Sequence, residues 1–314
     1  MTALHRYAVA LACATLLLVA AGGMVTSTNS GLSVPDWPTT YGKPMFSFPL
    51  HQMVGGIFYE HGHRLIASTV GMLTIGLVIF LWRVEKRRWM MRLGFVALGV
   101  VVLQGVLGGL TVLYLLPPPI SIGHASLAQL FFCLTVSVAL FTSRSWIAPG
   151  AAPVDDAGLR RRSLTLAICV YLQILLGATM RHFGAGLAIP DFPLMFGRVW
   201  PPFWSAAIGI HFAHRAMAAV ITVLAVRYAW HIRRDHGGRR ELMVPAGVLL
   251  LAIAAQITFG ALVVLTAKQP VINTLHVATG AIVFATTIVL TLRSNRARFH
   301  EERAVAAQWA SSHV

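Results

Sequence analysis

Eight long apolar stretches decide what this chain can fold into. They run at roughly 7–26, 58–82, 93–113, 121–142, 163–181, 206–230, 244–266 and 272–292. A helix that crosses the hydrocarbon core of a bilayer needs roughly 20 consecutive apolar residues, because it rises about 1.5 Å per residue. Each stretch meets that length, whereas spanning strands would read as shorter alternating segments. Only 11% of the 314 residues are charged and the mean hydropathy is +0.72, against about 25% charged residues in a soluble domain. The expected fold class is an all-α integral membrane protein with eight transmembrane helices.

The net charge of +15 points to nucleic acid only until its placement is read. Nineteen of the 25 Lys and Arg residues fall in five places that alternate with the spans: Arg6; Arg83 to Arg92; Arg144 and Arg160–Arg162; Arg227 to Arg240; and Arg293 to Arg303. All lie on one side of the expected membrane, the positive-inside pattern, which puts both termini in the cytoplasm. Basic runs so placed meet anionic lipid rather than nucleic acid. The first span has the basic start and small residues of a signal peptide, yet losing it would break the repeat described next. Cys13, Cys133 and Cys169 all fall inside expected helices, so no outer-loop disulfide is argued.

The chain repeats itself. Residues 22–38 read GGMVTSTNSGLSVPDWP and residues 177–193 read GATMRHFGAGLAIPDFP. At an offset of 155, Gly22, Gly31, Leu32, Pro35, Asp36 and Pro38 have identical partners. His63-Arg64 matches His214-Arg215 at 151, while Gln104, Gly108 and His124 match Gln256, Gly260 and His276 at 152. Four spans per repeat give both copies the same orientation, the parallel kind of repeat. The expected organisation is two tandem four-helix bundles, 1–142 and 163–298, joined by a cytoplasmic linker at 143–162 and followed by a cytoplasmic tail at 299–314. The outer loops 27–57 and 182–205 are long enough to act as lids.

Ionisable side chains inside a membrane are costly and mark function. Glu60, His61, His63 and Arg64 open the second span, His124 the fourth, His211, His214 and Arg215 the sixth, and His276 the eighth. All enter from the outer face within two or three turns, and the spacings 63 to 124 and 214 to 276 agree within one residue. Two imidazoles on facing helices suit the axial positions of a b-type haem, and the absence of Cys-x-x-Cys-His excludes covalent attachment. Zinc prefers four ligands and usually draws on Cys or acidic residues. The repeat partner of His61 is Phe212, which leaves it without a matched role. His51 and His182 fall in or near outer loops, and His5, His231, His236, His300 and His313 on the cytoplasmic surface.

Alignment sets Glu60 opposite His211. Three residues before His63 on one helix face, Glu60 is either a reacting group beside the first haem or a structural partner of Arg64. Arg64 and Arg215 follow the ligand candidates and point either to haem propionates or to lipid headgroups. The Gln-x3-Gly sets at Gln104, Gln173 and Gln256 have a close-packing reading first.

These residues resemble the haem A synthase family over nearly the whole chain. The resemblance rests on the Gly-Leu-Ser-x-Pro-Asp-Trp-Pro run at Gly31–Pro38, on Glu60-His-Gly-His63-Arg64, and on His124, His214-Arg215 and His276. It implies oxidation of the C8 methyl of haem O to a formyl group by two hydroxylations and loss of water. It further implies His63 and His124 as ligands of the substrate haem, Glu60 near the reacting carbon, and His214 and His276 as ligands of a cofactor haem b that relays electrons. A haem O synthase and an electron donor are the implied partners. Many members carry a cysteine pair in the first outer loop, whereas Val34 stands at one of those positions here, and Thr26 stands where an Arg is expected. The alternative of a different class is a quinol-linked bis-haem b electron-transfer cytochrome that modifies no haem.

Overall fold

A computed structural model describes residues 2–147 and 153–299. Eight long helices cross its length: α1 (Ala3–Ser27), α2 (Gly56–Val84), α3 (Arg88–Leu113), α4 (Pro118–Phe141), α6 (Ala157–His182), α7 (Ala206–His236), α8 (Arg240–Leu265) and α9 (Pro270–Ser294). A four-residue α5 (Arg144–Ile147) follows α4. All eight long helices are long and apolar enough to cross a membrane. Among the described residues no strand forms; two isolated bridges, Thr40 with Lys43 and Met195 with Arg198, are the only extended pairing.

The helix ends follow from side chains that satisfy otherwise orphaned backbone groups. Thr2, Asp156, Ser205 and Gln269 each accept the third backbone N–H beyond them at the starts of α1, α6, α7 and α9. Pro lies in the first turn of α4 and α9, where its missing N–H costs nothing. The exits of α3 and α8 are alike: Leu115-Leu116 and Ala267-Lys268 are left-handed. There Leu116 N–H donates to Thr111 O at 2.7 Å and Lys268 N–H to Val263 O at 2.8 Å, the 6→1 bond of a Schellman turn.

Helix α1 packs on α2 and α4, and α3 packs on the same two; α6 packs on α7 and α9, and α8 on those two. The sets meet where α1 touches α9 and where α4 touches α9 and α6. Two apolar clusters form, one around Leu11, Leu77, Leu81, Met90 and Val138, the other around Leu166, Tyr228, Ile232, Leu249 and Leu290 and taking in Val19 of α1 and Phe132 and Cys133 of α4. Both clusters fill the half of the molecule that carries the basic runs. The other half is where the membrane-embedded histidines gather.

Two expectations change. Helix α6 starts at Ala157, so the segment 143–162 carries helix at both ends; residues 148–152 within it, and the tail from 300 with His300 and His313, lie outside the described residues. His5 is buried, not surface: its Nδ1 lies 3.0 Å from Ala139 O and 3.2 Å from Thr142 Oγ1.

Candidate functional site

Four histidines stand in four equivalent settings. The Cε1 of His63 lies 3.1 Å from where a Cβ would stand on Gly22, and that of His124 lies 3.1 Å from the same point on Gly108. His214 meets Gly177 at 3.1 Å and His276 meets Gly260 at 3.0 Å in the same way. Each ring therefore lies flush on the preceding helix, at a position where any side chain larger than a methyl would press into it. This pairing was not foreseen from sequence, although the repeated Gln-x3-Gly spacing was its signal.

The glutamines one turn before three of those glycines hold the histidine-bearing helices. Gln104 donates its amide to His124 O at 2.8 Å and Gln173 to His214 O at 2.9 Å. The Gln256 amide nitrogen lies 3.3 Å from His276 Nε2, while His276 Nδ1 lies 3.2 Å from Gln256 O. Leu18 occupies the corresponding place on α1. His63 and His124 face the carbonyls of Leu18 and Gln104 as His276 Nδ1 faces Gln256 O, while the Oε1 atoms of Gln104, Gln173 and Gln256 are buried without a partner. Leaving such an oxygen unpaired costs about 1–3 kcal/mol, and its recurrence at three matched positions suits a ligand that fills the space beside it.

The spacing of one pair tests which ligand. An imidazole nitrogen lies about 2 Å from a bound first-row metal, and roughly another ångström separates it from the ring centre, so two axial imidazoles put their ring centres on the order of 6 Å apart. The His214 and His276 rings are 6.5 Å apart. Two neutral ring nitrogens without carboxylate or thiolate suit a haem iron better than zinc.

Glu60, His211 and the two arginines face the outer loops. Glu60 Oε2 accepts the Val34 N–H at 2.8 Å, and Oε1 is ion-paired with Arg64 at 2.6 Å. Arg64 also donates to the carbonyls of Val34, Asp36 and Thr39. The second half reproduces this clamp: Arg215 donates to the carbonyls of Ile189, Asp191 and Leu194. His211 takes the place of Glu60, 3.2 Å from Ile189 N and 3.1 Å from Arg215 Nε. A neutral imidazole has one acceptor nitrogen, so only one of those two contacts is a hydrogen bond, whereas the carboxylate satisfies both. The structural pairing of Glu60 with Arg64 is thus realised, and both guanidinium groups are committed to loop carbonyls. His61 is buried under the same loop, 3.0 Å from Thr40 Oγ1 and 5.0 Å from the Phe48 ring centre.

Each loop is closed by an aspartate. Asp36 accepts the N–H groups of Tyr41 and Gly42 at 2.8 Å and the Thr39 hydroxyl. Asp191 accepts those of Phe196 and Gly197 at 2.7 Å. Tyr41-Gly42 and Phe196-Gly197 are left-handed pairs, as a tight two-residue hairpin turn requires. Burial opposes ionisation of Asp36, but its three hydrogen bonds outweigh that and hold its pKa below the usual carboxylate value. For Asp191 the Gly197 N–H is the largest cause of the same lowering. Trp37 lies directly over Gly109 of α3, which seats the first loop on the helix ends.

The chain is similar to known proteins over most of its length. The family model described as COX15-CtaA, cytochrome oxidase assembly protein, matches residues 5–288. A heme A synthase of Symbiobacterium thermophilum is 35% identical over 270 residues, covering 83% of this chain and 86% of that protein. Those of Shouchella clausii and Halalkalibacterium halodurans are 30% and 27% identical, covering 84% and 90% of this chain and 87% and 94% of their own.

Proposed function

The chain belongs to the COX15-CtaA family of cytochrome oxidase assembly proteins, and from that premise we propose that it is a haem A synthase. It is a membrane oxidoreductase that makes haem A from haem O, oxidising the C8 methyl to a formyl group by two hydroxylations and loss of water. In this reading residues 1–142 hold the substrate between His63 and His124, and residues 163–298 hold a haem b between His214 and His276. The single observation that carries it is the fourfold setting of an imidazole laid on a glycine, with the 6.5 Å separation of His214 and His276.

Haem b, when bound, supplies one-electron redox chemistry. The chain's own residues do the rest. The glycines fix each imidazole plane, and the glutamines hold the helix that bears it. The outer loops, clamped by Arg64 and Arg215, exclude water from the ends of the two sites. Among the described residues Glu60 is the one carboxylate in the outer half of a long helix. It would take a proton at Oε2 during methyl oxidation, exchanging its bond from Val34 N–H. By the distribution of basic residues both termini face the cytoplasm and both haem sites lie near the outer face. A haem O synthase and an electron donor are the partners this reaction needs.

The test is to express the chain with a haem O source, extract the haems and separate them by mass. The expected result is conversion of haem O to haem A. Haem O left unchanged by a well-expressed, haem-loaded protein would overturn the enzyme reading and leave a bis-haem electron carrier.

A further inference from the structure

His231 and His236 are not free surface groups. They stand at the basic end of α7, with side chains 11% and 16% exposed, and both point Nε2 at one oxygen, Oδ2 of Asp156, at 2.8 and 2.9 Å. Asp156 starts α6, and its other oxygen is already taken by the Leu159 N–H at 2.9 Å. That cap fixes the carboxylate and leaves Oδ2 facing the two imidazoles. One donor atom from each of the three residues lies within 4.8 Å of the others.

Proton counting sharpens the geometry. His231 also sets Nδ1 3.0 Å from Asp235 Oδ2. A neutral imidazole carries one N–H, so with carboxylate oxygens at both nitrogens one contact sets lone pair against lone pair. A proton or a metal cation at Nε2 removes that conflict. With Nδ1–H donated to Asp235, the Nε2 lone pair is free for a metal, and a carboxylate behind the ligating histidine is the usual orienting arrangement. Nearby guanidinium groups do not take the carboxylate instead: Arg160 pairs with Asp155 and Arg234 with Asp235.

We propose that Asp156, His231 and His236 form a divalent transition-metal site of the zinc class, with water at the fourth position and Asp235 orienting His231. Two His and one Asp are a known ligand set for an open tetrahedral site. Ligand atoms about 2.0–2.1 Å from such an ion lie roughly 3.3 Å apart, so the rings withdraw by about half an ångström to admit it. The site ties the start of α6 to the end of α7. It lies at the other end of α7 from His214 and does not depend on the reaction proposed for the membrane histidines.

The experiment uses the full-length protein without an affinity tag, in detergent, stripped by a chelator that leaves haem iron in place. Zinc is titrated against a chromophoric competitor, and melting is followed in parallel. The expected result is one equivalent of zinc bound with a rise in melting temperature. That equivalent is lost in the double variant His231→Gln, His236→Gln, and affinity falls about 10- to 100-fold in Asp235→Asn. The glutamine amides still donate to Asp156, so the helix ends stay joined; His236→Gln alone serves if the double variant folds poorly. No zinc bound by the wild-type chain, or equal zinc bound by wild type and variants, would overturn the proposal and leave a hydrogen-bonded clasp.

Discussion

A methyl group added at Gly177 would stand 3.1 Å from Cε1 of His214, tighter than ordinary van der Waals contact but within what a small ring shift absorbs. Gly177→Ala is therefore expected to bind haem nearly normally. Gly177→Val carries two further carbons toward the ring and is expected to lower bound haem at least about 10-fold, since packed interiors give way by fractions of an ångström only. Absorbance of the purified variants decides, with Gly209→Ala as the control because nothing lies within 4 Å of its added carbon. Glu60 needs a substitution that separates scaffold from chemistry. Glu60→Ala leaves the Arg64 guanidinium buried without its carboxylate, a loss of about 3–5 kcal/mol. Glu60→His instead copies the clamp around His211, at a cost of about 1 kcal/mol for the contact that an imidazole cannot satisfy. It is expected to fold and bind haem yet accumulate haem O or an alcohol intermediate. Undiminished haem A from Glu60→His would reduce Glu60 to a loop anchor.

At the scale of elements, the outer loops depend on ionised aspartates. The folded-state pKa of Asp36 lies below its unfolded value, so the folded loop binds fewer protons. Its contribution is fully present above the ordinary carboxylate value of about 3.9 and is lost as pH falls through the lowered folded value. Trp37, seated on Gly109, reports this: its emission is expected to stay constant down to about pH 4 and to change below. Asp36→Ala should show the acid-like emission already at neutral pH, and a pH-independent signal in both proteins would refute the link. The eight spans were legible because apolar length alone specifies a membrane helix. Their charged ends were not: α6 takes in Arg160–Arg162 and α7 takes in Arg233 and Arg234, since long basic side chains let a helix run on beyond the apolar core. The loop clamp was half legible. Repetition singled out Arg64, Arg215, Asp36 and Asp191, but their partners are backbone carbonyls and N–H groups that no side-chain pattern reveals. Asp156 gave no signal of joining His231 and His236, which lie 75 and 80 residues further on and are absent from the other repeat.

For the whole molecule, the question is whether the two proposed haem sites behave as two. The apolar core forms two clusters, the second reaching into α1 and α4 through Val19, Phe132 and Cys133, and contact between the sets runs through α1, α4, α6 and α9. On α1, Gly22 faces His63 while its neighbour Gly23 packs on Thr274 and Val277 of α9, the latter adjacent to His276. A helix–helix seam of α1 on α9 thus lies between the two histidine sets, built from side chains that no histidine substitution removes. Replacing His214 or His276 by Ala is expected to abolish the low-spin haem spectrum of the purified protein and, with it, haem A formation. Replacing His63 or His124 by Ala is expected to keep that spectrum, because the second cluster and its glycine-backed pair are untouched, while haem O goes unconverted. The two readouts separate a reaction site from a cofactor site. If His124→Ala removed the resident spectrum as completely as His276→Ala, the halves would share one haem-binding unit and the division of labour would fail.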